Sequence, residues 1–147
     1  MLTRRAESGS SPDLGIEIEL APAFHDLDPM NIVWHGHYVK YIELARCALL
    51  RKFDYDYPEM LASGYVWPIV DMRLKYVRPA AYAQRLRVRA EIVEWENRLR
   101  MDYEIRDAAN GERLTKAHTI QVAVDATTRE MQFLCPPVLW QRLGLRP

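Results

Sequence analysis

The chain contains 147 residues, enough for one compact domain with its own hydrophobic core but too few for two. Its 20 Lys and Arg residues balance its 20 Asp and Glu residues, so no basic excess indicates a nucleic-acid-binding protein. No apolar run approaches the length that a membrane-spanning helix needs. The two cysteines, Cys47 and Cys135, provide neither a disulfide framework nor zinc-ligand spacing, so we expect a cytoplasmic protein.

The N-terminal segment differs in composition from the rest of the chain. Residues 1–13 are polar and rich in Ser, Gly and Pro, which predicts a flexible tail ahead of a single domain over residues 14–147. No apolar stretch follows its two arginines, so the segment is not predicted to be a signal peptide. From Ile16 to Leu20 apolar and acidic residues alternate, and this period of two predicts a strand with one buried face.

Two helices are predicted next. The first and longer one is expected from His37 to about Phe53. Its apolar residues recur at helical spacing, at Tyr38, Ile42, Ala45 and Leu49. A second, shorter helix is predicted over Tyr57–Ala62, and it should end before Gly64.

The remainder of the chain is predicted to consist mainly of strands. Runs of alternating apolar and charged residues lie at 66–78, 85–92, 99–106 and 114–124. Asn97 marks a tight turn between the second and third runs. The Asn110-Gly111 pair predicts a two-residue hairpin turn between the third and fourth, because such a turn needs positive φ at both positions. A short apolar helix is predicted over Val138–Leu143.

The predicted order is therefore one strand, one long helix and four strands joined by hairpins. Such runs form antiparallel sheets that are apolar on one face and charged on the other. A helix of about 17 residues is about 25 Å long, which matches the width of such a sheet. Laying the helix across the concave face buries both apolar surfaces. The predicted fold class is α+β, with one antiparallel sheet wrapped around one long central helix.

The densest group of titratable residues lies between the first strand and the long helix, in FHDLDPMNIVWHGHY (24–38). It includes His25, Asp26, Asp28, His35 and His37. The first turn of the helix follows directly, and its unpaired N–H groups favour negative charge. A carboxylate there could attack a carbonyl or activate water, while the N–H groups hold the carbonyl oxygen. This arrangement indicates acyl-transfer chemistry.

The same residues resemble a known family. The D-x-D-P run, followed at fixed spacing by Ile32, Val33, Trp34 and Tyr38, is similar to the signature of hot-dog-fold acyl-CoA thioesterases of the 4-hydroxybenzoyl-CoA thioesterase type. The likeness continues through the helix start and, more loosely, over residues 14–140. It implies an acyl-CoA thioesterase that needs no dissociable cofactor, since coenzyme A is part of the substrate and product. It also implies a homodimer, often a homotetramer, with the site between subunits.

The resemblance also implies roles for individual residues. The second acid of the motif is the family's catalytic carboxylate, which corresponds to Asp28, acting either as a nucleophile or as a general base. The N–H group that polarises the carbonyl corresponds to His35 or its neighbour Gly36. The sequence departs from the family at Asn31, where glycine is common, and at His37, where a smaller or amide residue is usual.

Other residues allow two interpretations. Four are candidates for binding the acyl group, although aromatic residues at such spacings more often belong to the core: Trp34, His37, Tyr38 and Trp67. Asp26 is expected to make a structural hydrogen bond, and His118 to be a structural histidine. The arginines of 85–90 and 98–101 fit a solvated outer face, although some could contact coenzyme A phosphates. Cys47 lacks a nearby base in the sequence and is expected to be a core residue.

Several rival functions remain at this stage. A metal site formed by His35 and His37 with Asp26 or Asp28 is disfavoured, because no further His or Cys has ligand spacing, and no metal is expected. The chain could instead be an acyl-carrier-protein thioesterase, a hydratase or dehydratase of acyl thioesters, or a non-catalytic acyl-binding module. Release of free thiol would distinguish hydrolysis from hydration or dehydration. Loss of this activity in Asp28→Asn would distinguish it from acyl binding without catalysis.

Overall fold

The computed structural model describes residues 12–146. The elements in chain order are β1 (Gly15–Leu20), α1 (Tyr38–Lys52), α2 (Tyr57–Ala62), β2 (Tyr65–Val66), β3 (Ile69–Tyr76), β4 (Leu86–Glu94), β5 (Leu99–Asp107), β6 (Arg113–Gln121), β7 (Val124–Asp125) and α3 (Pro137–Leu143). Two 3₁₀ turns, Phe24–Asp26 and His35–His37, lie between β1 and α1. Most of the predicted N-terminal tail falls outside the described residues. Within residues 12–146, no helix is long and apolar enough to cross a membrane.

Five strands form one antiparallel sheet in the order β1-β4-β5-β6-β3. The predicted hairpins β4–β5 and β5–β6 are confirmed. A hairpin between β3 and β4 is not formed, because β3 pairs with β6 at one edge while β4 lies between β1 and β5. Residues 77–85 therefore cross from one side of the sheet to the other. The alternating pattern specifies which face of a strand is buried, but it does not specify the neighbouring strand.

The long helix packs on the apolar face of the sheet, against β1 and β4. Ile42, Ala45 and Leu49 are buried from the helix side, and Val88 and Ala90 from the sheet side. Full burial of a side chain such as Leu49 contributes about 1.5–3 kcal/mol relative to exposure. The charged residues of the same strands lie on the opposite face. The predicted α+β architecture, one antiparallel sheet around one long helix, is confirmed.

Two of the predicted strands are each divided. Trp67 and Pro68 separate β2 from β3, and β6 ends at Gln121 before the short β7. Proline has no N–H group to donate to a neighbouring strand, which accounts for the first break. β2 and β7 pair with each other in a separate two-stranded sheet, and Ile69 at the start of β3 pairs with Gln121 at the end of β6. Both breaks therefore lie at the same end of the main sheet.

The turn between β5 and β6 is wider than predicted. The N–H of Asp107 donates to the carbonyl of Glu112 at 2.9 Å, and φ is positive at Gly111 (+75°) but not at Asn110. The predicted two-residue turn is therefore wrong. The Asp107 carboxylate accepts hydrogen bonds from the N–H groups of Ala109 at 2.7 Å and Asn110 at 3.1 Å, which stabilises the longer loop.

Candidate active site

The segment ahead of α1 forms a narrow loop, closed by an isolated bridge between Leu27 and Val33. Inside it, the N–H of Asp28 donates to the carbonyl of Ile32, and the N–H of Asn31 donates to the carbonyl of Asp28, both at 2.8 Å. Asn31 has a φ of +66°, in the left-handed region that glycine adopts freely and asparagine tolerates. This backbone requirement explains why Asn31 can occupy a position where the resembling family commonly has glycine.

The carboxylate of Asp28 is half-buried and held at one end only. Its Oδ1 accepts hydrogen bonds from the N–H groups of Met30 at 2.8 Å and Ile32 at 3.5 Å. Its Oδ2 has no hydrogen-bond or ion-pair partner among residues 12–146. The main-chain bond from Asp28 to Ile32 places this loop next to the cavity at the helix start, because Ile32 lines that cavity. Asp28 therefore has one carboxylate oxygen available in the loop that leads to α1.

The 3₁₀ turn His35–His37, which leads directly into α1, leaves main-chain donors free. The N–H groups of His35 and Gly36 have no acceptor within the described range 12–146, as expected for the first residues of a helix. The ring of Trp34 packs directly over Gly36, where an added Cβ would lie 2.1 Å from a ring carbon. Any larger residue at this position would therefore have to displace the Trp34 ring. The N–H of His37 is occupied, since it donates to the carbonyl of Trp34 at 2.9 Å.

A cavity of about 210 Å³ opens at the same end of the helix. Its walls include Ile32, His35, Tyr38 and Tyr76, but not Asp28. Tyr76 donates its hydroxyl to the carbonyl of His35 at 2.8 Å, and the hydroxyl of Tyr38 accepts the N–H of Ala80 at 2.9 Å. These two bonds fix the helix start against the end of β3 and the segment that follows it. No sequence pattern identifies Tyr76 as a residue of this site, because its partner is a main-chain carbonyl far away in the chain.

Asp26 has a different environment from Asp28. Its carboxylate accepts hydrogen bonds from Lys40 Nζ at 2.6 Å, the Tyr41 hydroxyl at 2.7 Å and the Ala23 N–H at 3.0 Å. Burial alone would raise the pKa of Asp26, but the hydrogen bonds from Lys40 and Tyr41 hold it well below its usual range. The predicted structural hydrogen bond of Asp26 is confirmed. Its partners Lys40 and Tyr41 were not predicted, since they read as ordinary residues of the first helical turns.

The structure brings together five of the predicted binding and oxyanion residues at the helix start and places the sixth, Trp67, elsewhere. Trp34 contacts both histidines beside it, with ring centroids 5.0 Å from His35 and 5.3 Å from His37. Trp67 is buried and lines a separate cavity of about 710 Å³ between the second half of α1, α2 and the β2–β7 pair. Cys47 lines that cavity and lies nine residues beyond Tyr38, about 13 Å along the helix. Within one chain, Trp67 is thus remote from Asp28.

The remaining candidates lie away from the helix start. Arg85, Arg87 and Arg89 are 69%, 41% and 42% exposed, which confirms the predicted solvated outer face of β4. His118 lies on the outer face of β6, in a broad depression lined mainly by charged side chains. Burial raises the pKa of the Cys47 thiol, which disfavours the thiolate that a nucleophile needs. Among residues 12–146, no group of three His, Cys, Asp or Glu side chains is placed to hold a metal ion.

Comparison with known proteins identifies the family and the fold. The family model of the thioesterase-like superfamily matches residues 22–143. A candidate acyl-CoA thioesterase of Bacillus subtilis is 29% identical over 108 residues, which are 73% of this chain and 78% of that protein. Among solved structures, a 1,4-dihydroxy-2-naphthoyl-CoA thioesterase from Synechocystis superposes with a TM-score of 0.79 at 20% identity, covering 88% of this chain and 96% of the other.

A second solved structure contains a bound thioester. It is a 4-hydroxybenzoyl-CoA thioesterase with one aspartate replaced by asparagine, in complex with 4-hydroxybenzoyl-CoA. It superposes with a TM-score of 0.77 at 20% identity, covering 88% of this chain and 99% of that one. The chain belongs to the thioesterase-like superfamily, since the family model spans most of its length. The resemblance in the sequence and the predicted class of thioester hydrolase are confirmed.

Proposed function

We propose that the protein hydrolyses acyl-CoA thioesters at the start of α1. The main support is the position of Asp28, with Oδ1 held by a main-chain N–H and Oδ2 free, beside a helix start whose His35 and Gly36 N–H groups lack acceptors among residues 12–146. A carboxylate supplies the base or nucleophile, and the N–H groups would stabilise the negative charge that develops on the carbonyl oxygen. Water and the thioester give a carboxylic acid and the free thiol of coenzyme A.

Two routes are compatible with this arrangement. In the first, Asp28 removes a proton from water while the water oxygen attacks the carbonyl carbon, and the tetrahedral intermediate then expels the thiolate, which is protonated. In the second, Asp28 attacks the carbonyl carbon, expels the thiolate and forms a mixed anhydride, which water then cleaves. Both routes require an ionised Asp28. Incorporation of ¹⁸O from labelled water into the Asp28 carboxylate in a single turnover would identify the second route, because general-base catalysis leaves that carboxylate unlabelled.

An aromatic acyl group is the class that we favour for the substrate. Both solved relatives described above are thioesterases of hydroxylated aromatic acyl-CoA molecules. In this chain the helix start is surrounded by the rings of Trp34, Tyr38 and Tyr76, which suit a flat apolar group. An acyl-carrier-protein thioester is the alternative substrate. Comparing the rates of hydrolysis of the same acyl group on coenzyme A and on the carrier protein would distinguish the two.

We infer that the active form is a dimer joined through β3. This strand is an edge of the sheet, and Val70, Tyr76 and Val77 on or beside it are 57%, 48% and 48% exposed. An open apolar edge favours pairing with another strand. Antiparallel pairing of β3 with its copy can set Asp71 opposite the partner subunit's Lys75, twice by symmetry, which forms two attractive cross-strand pairs. Arg73 would lie opposite the partner subunit's Arg73 at the two-fold axis, a like-charge pair that the two Asp71–Lys75 pairs must outweigh.

Charge reversal tests this dimer. The Asp71→Lys variant should shift the mass measured by light scattering toward the monomer, because it places Lys opposite Lys. The double variant Asp71→Lys with Lys75→Asp should recover the dimer. A monomeric wild type at micromolar concentration, or a double variant that remains as dissociated as the single one, would contradict the proposed pairing.

The cellular location that we propose is the cytoplasm. Cys47 and Cys135 are both free in the structure, as reduced cysteines are in a reducing compartment. Fractionation of cells with an antibody against the protein tests this assignment.

The catalytic proposal is tested with Asp28→Asn. Wild-type protein should release free thiol from at least one member of a panel of aryl-, short- and long-chain acyl-CoA thioesters. The variant should lose about 10²–10⁴-fold in kcat, since it removes the charged base while keeping the size of the side chain. Asp102→Asn, at an exposed position on the outer face of β5, is the matched control and should retain wild-type activity. Undiminished turnover by Asp28→Asn would refute the proposal, and a change in enoyl absorbance without thiol release would indicate a hydratase.

A further inference from the structure

The hydrogen bond from Tyr76 to His35 ends on a peptide group with a free N–H. Tyr76, the last residue of β3, donates its hydroxyl to the carbonyl of His35 at 2.8 Å. That carbonyl and the N–H of Gly36 belong to the same peptide group. The Gly36 N–H has no acceptor among residues 12–146, and it is one of the two main-chain donors proposed to hold the carbonyl oxygen of the thioester. Tyr76 is therefore connected to a candidate oxyanion donor through one peptide group.

The geometry of a peptide group allows Tyr76 to act on this donor without covering it. The His35–Gly36 peptide is trans, so its carbonyl and its N–H point to opposite sides. The oxygen, carbon and nitrogen share one delocalised system of electrons. A hydrogen bond to the oxygen draws electron density away from the nitrogen, which makes the N–H a stronger donor. The Tyr76 hydroxyl can thus strengthen the Gly36 N–H from the far side of the peptide.

The Tyr76 ring is held by two aromatic neighbours. Its centroid lies 5.2 Å from that of Tyr38 and 6.4 Å from that of His35, with interplanar angles of 74° and 79°, which are edge-to-face arrangements. Tyr38 is itself fixed by the N–H of Ala80 at 2.9 Å. Burial raises the pKa of the Tyr76 phenol, so the hydroxyl keeps the proton that it donates at neutral pH. The donor to His35 is therefore in place before a substrate binds.

We propose, on the basis of the proposed hydrolase function, that Tyr76 is a positioning residue that orients and polarises the His35–Gly36 peptide so that the Gly36 N–H stabilises the oxyanion. The negative charge on the thioester oxygen develops only in the transition state, so the loss of the Tyr76 hydroxyl should lower kcat and leave KM nearly unchanged. Removal of a whole oxyanion donor costs about 10²–10³-fold in kcat, and a cooperative partner contributes a fraction of that energy. Tyr76→Phe should therefore lower kcat about two- to tenfold.

The kinetic test varies the acidity of the phenol while keeping its ring in place. Values of kcat and KM are measured on the best substrate of the acyl-CoA panel for wild type, Tyr76→Phe and Tyr76→3,5-difluorotyrosine, at a pH at which both phenols are protonated. The more acidic phenol donates the stronger hydrogen bond and should raise kcat above that of wild type, whereas a hydroxyl that only anchors the turn would not. Wild-type kcat in Tyr76→Phe, or no rise in the difluorotyrosine variant, would overturn the proposed role.

A matched control removes a neighbouring hydroxyl that has no such connection. Tyr82 lies in the segment after β3, is 58% exposed and packs edge-to-face on Phe24. Tyr82→Phe should keep wild-type kcat and KM. A loss in this variant as large as that in Tyr76→Phe would show that the effect is not specific to the bond with His35.

Infrared spectroscopy gives a second readout that needs no turnover. Benzoyl-CoA with ¹³C at its thioester carbonyl is bound to Asp28→Asn, in which a polarised carbonyl absorbs at a lower frequency than in free benzoyl-CoA. Adding Tyr76→Phe should move this frequency back toward that of the free thioester, and adding Tyr76→3,5-difluorotyrosine should lower it further. Equal frequencies in the three proteins would overturn the role of Tyr76. If wild type hydrolyses no thioester while these shifts are observed, the proposed hydrolysis fails and the polarising role of Tyr76 stands.

Discussion

Asp26 and Asp28 are separated by one residue in the same loop, yet their carboxylates differ in burial and in hydrogen bonding. The Asp26 side chain is 3% exposed and is paired with Lys40 and Tyr41 of α1. Asp28 is half-buried, and one of its two carboxylate oxygens has no partner among residues 12–146. The 3₁₀ turn that ends at Asp26 directs that side chain under the helix, whereas Asp28 begins the narrow loop that follows the Leu27–Val33 bridge.

This difference shows that one loop can contain one aspartate that stabilises the fold and another that remains available to a substrate. The interactions of Asp26 contribute to folding, because both oxygens of its carboxylate accept hydrogen bonds from Ala23 and from two residues of α1. Asp28 retains an oxygen that is not needed for folding and can therefore act on a substrate. Substitutions at these two positions should consequently separate stability from activity, and neighbouring positions in the loop should show graded effects.

The largest expected effect on stability is that of Asp26→Ala. It removes three hydrogen bonds and leaves the buried Tyr41 hydroxyl without its acceptor, so the free energy of unfolding should fall by about 3 kcal/mol. Asp28→Ala should lower it by less than about 1 kcal/mol, since it removes only one short and one long hydrogen bond at a partly exposed site. Urea denaturation measures both. Equal losses of unfolding free energy in the two variants would contradict the different roles of the two aspartates.

The pH dependence of stability sharpens the same contrast. The pKa of Asp26 is held well below its unfolded value of about 3.9, so its contribution is present above about pH 4 and is lost as the pH falls further. Wild-type stability should therefore drop between about pH 4 and pH 2, and this drop should be smaller in Asp26→Ala. Denaturation at a series of pH values provides the measurement. An identical acid profile in both proteins would show that Asp26 is not the group responsible.

An intermediate effect is expected from Gly36→Ala at the helix start. The new methyl group would lie 2.1 Å from a carbon of the Trp34 ring, so the indole must move. The free energy of unfolding should fall by about 1–3 kcal/mol, and the displaced helix start should reduce kcat. Ala62→Gly, at the last residue of α2, is a control of similar size that leaves this region intact. Wild-type stability and kcat in Gly36→Ala would show that the Trp34 contact does not restrict the site.

The smallest effect on stability is expected from Asn31→Gly. Because its φ is +66°, Asn31→Gly should change stability by no more than about 0.5 kcal/mol and keep the activity. Asn31→Val should be clearly destabilising, since a β-branched residue disfavours this conformation. Thermal melts of the two variants measure the difference. A stable Asn31→Val variant would show that the loop does not need positive φ at this position.

Local patterns predicted much of this protein. Alternation and helical spacing located the strands and both helices of the first half, with α2 predicted at its observed bounds. The D-x-D-P motif indicated the loop before α1, and Asp26 was correctly interpreted as structural. These predictions succeeded because each depends on residues close together in the sequence. The roles of Asp28, His35 and Gly36 in catalysis remain predictions.

Tertiary structure decided what local spacing does not encode. The choice of β6 as the partner of β3, the breaks at Trp67 and Gln121, and the wide turn after Asp107 depend on contacts between distant segments. The same holds for the bond from Tyr76 to His35 and for the position of Trp67 far from the helix start. Sequence periodicity specifies which face of an element is buried, while the partners on that face are chosen by the packing of the whole chain.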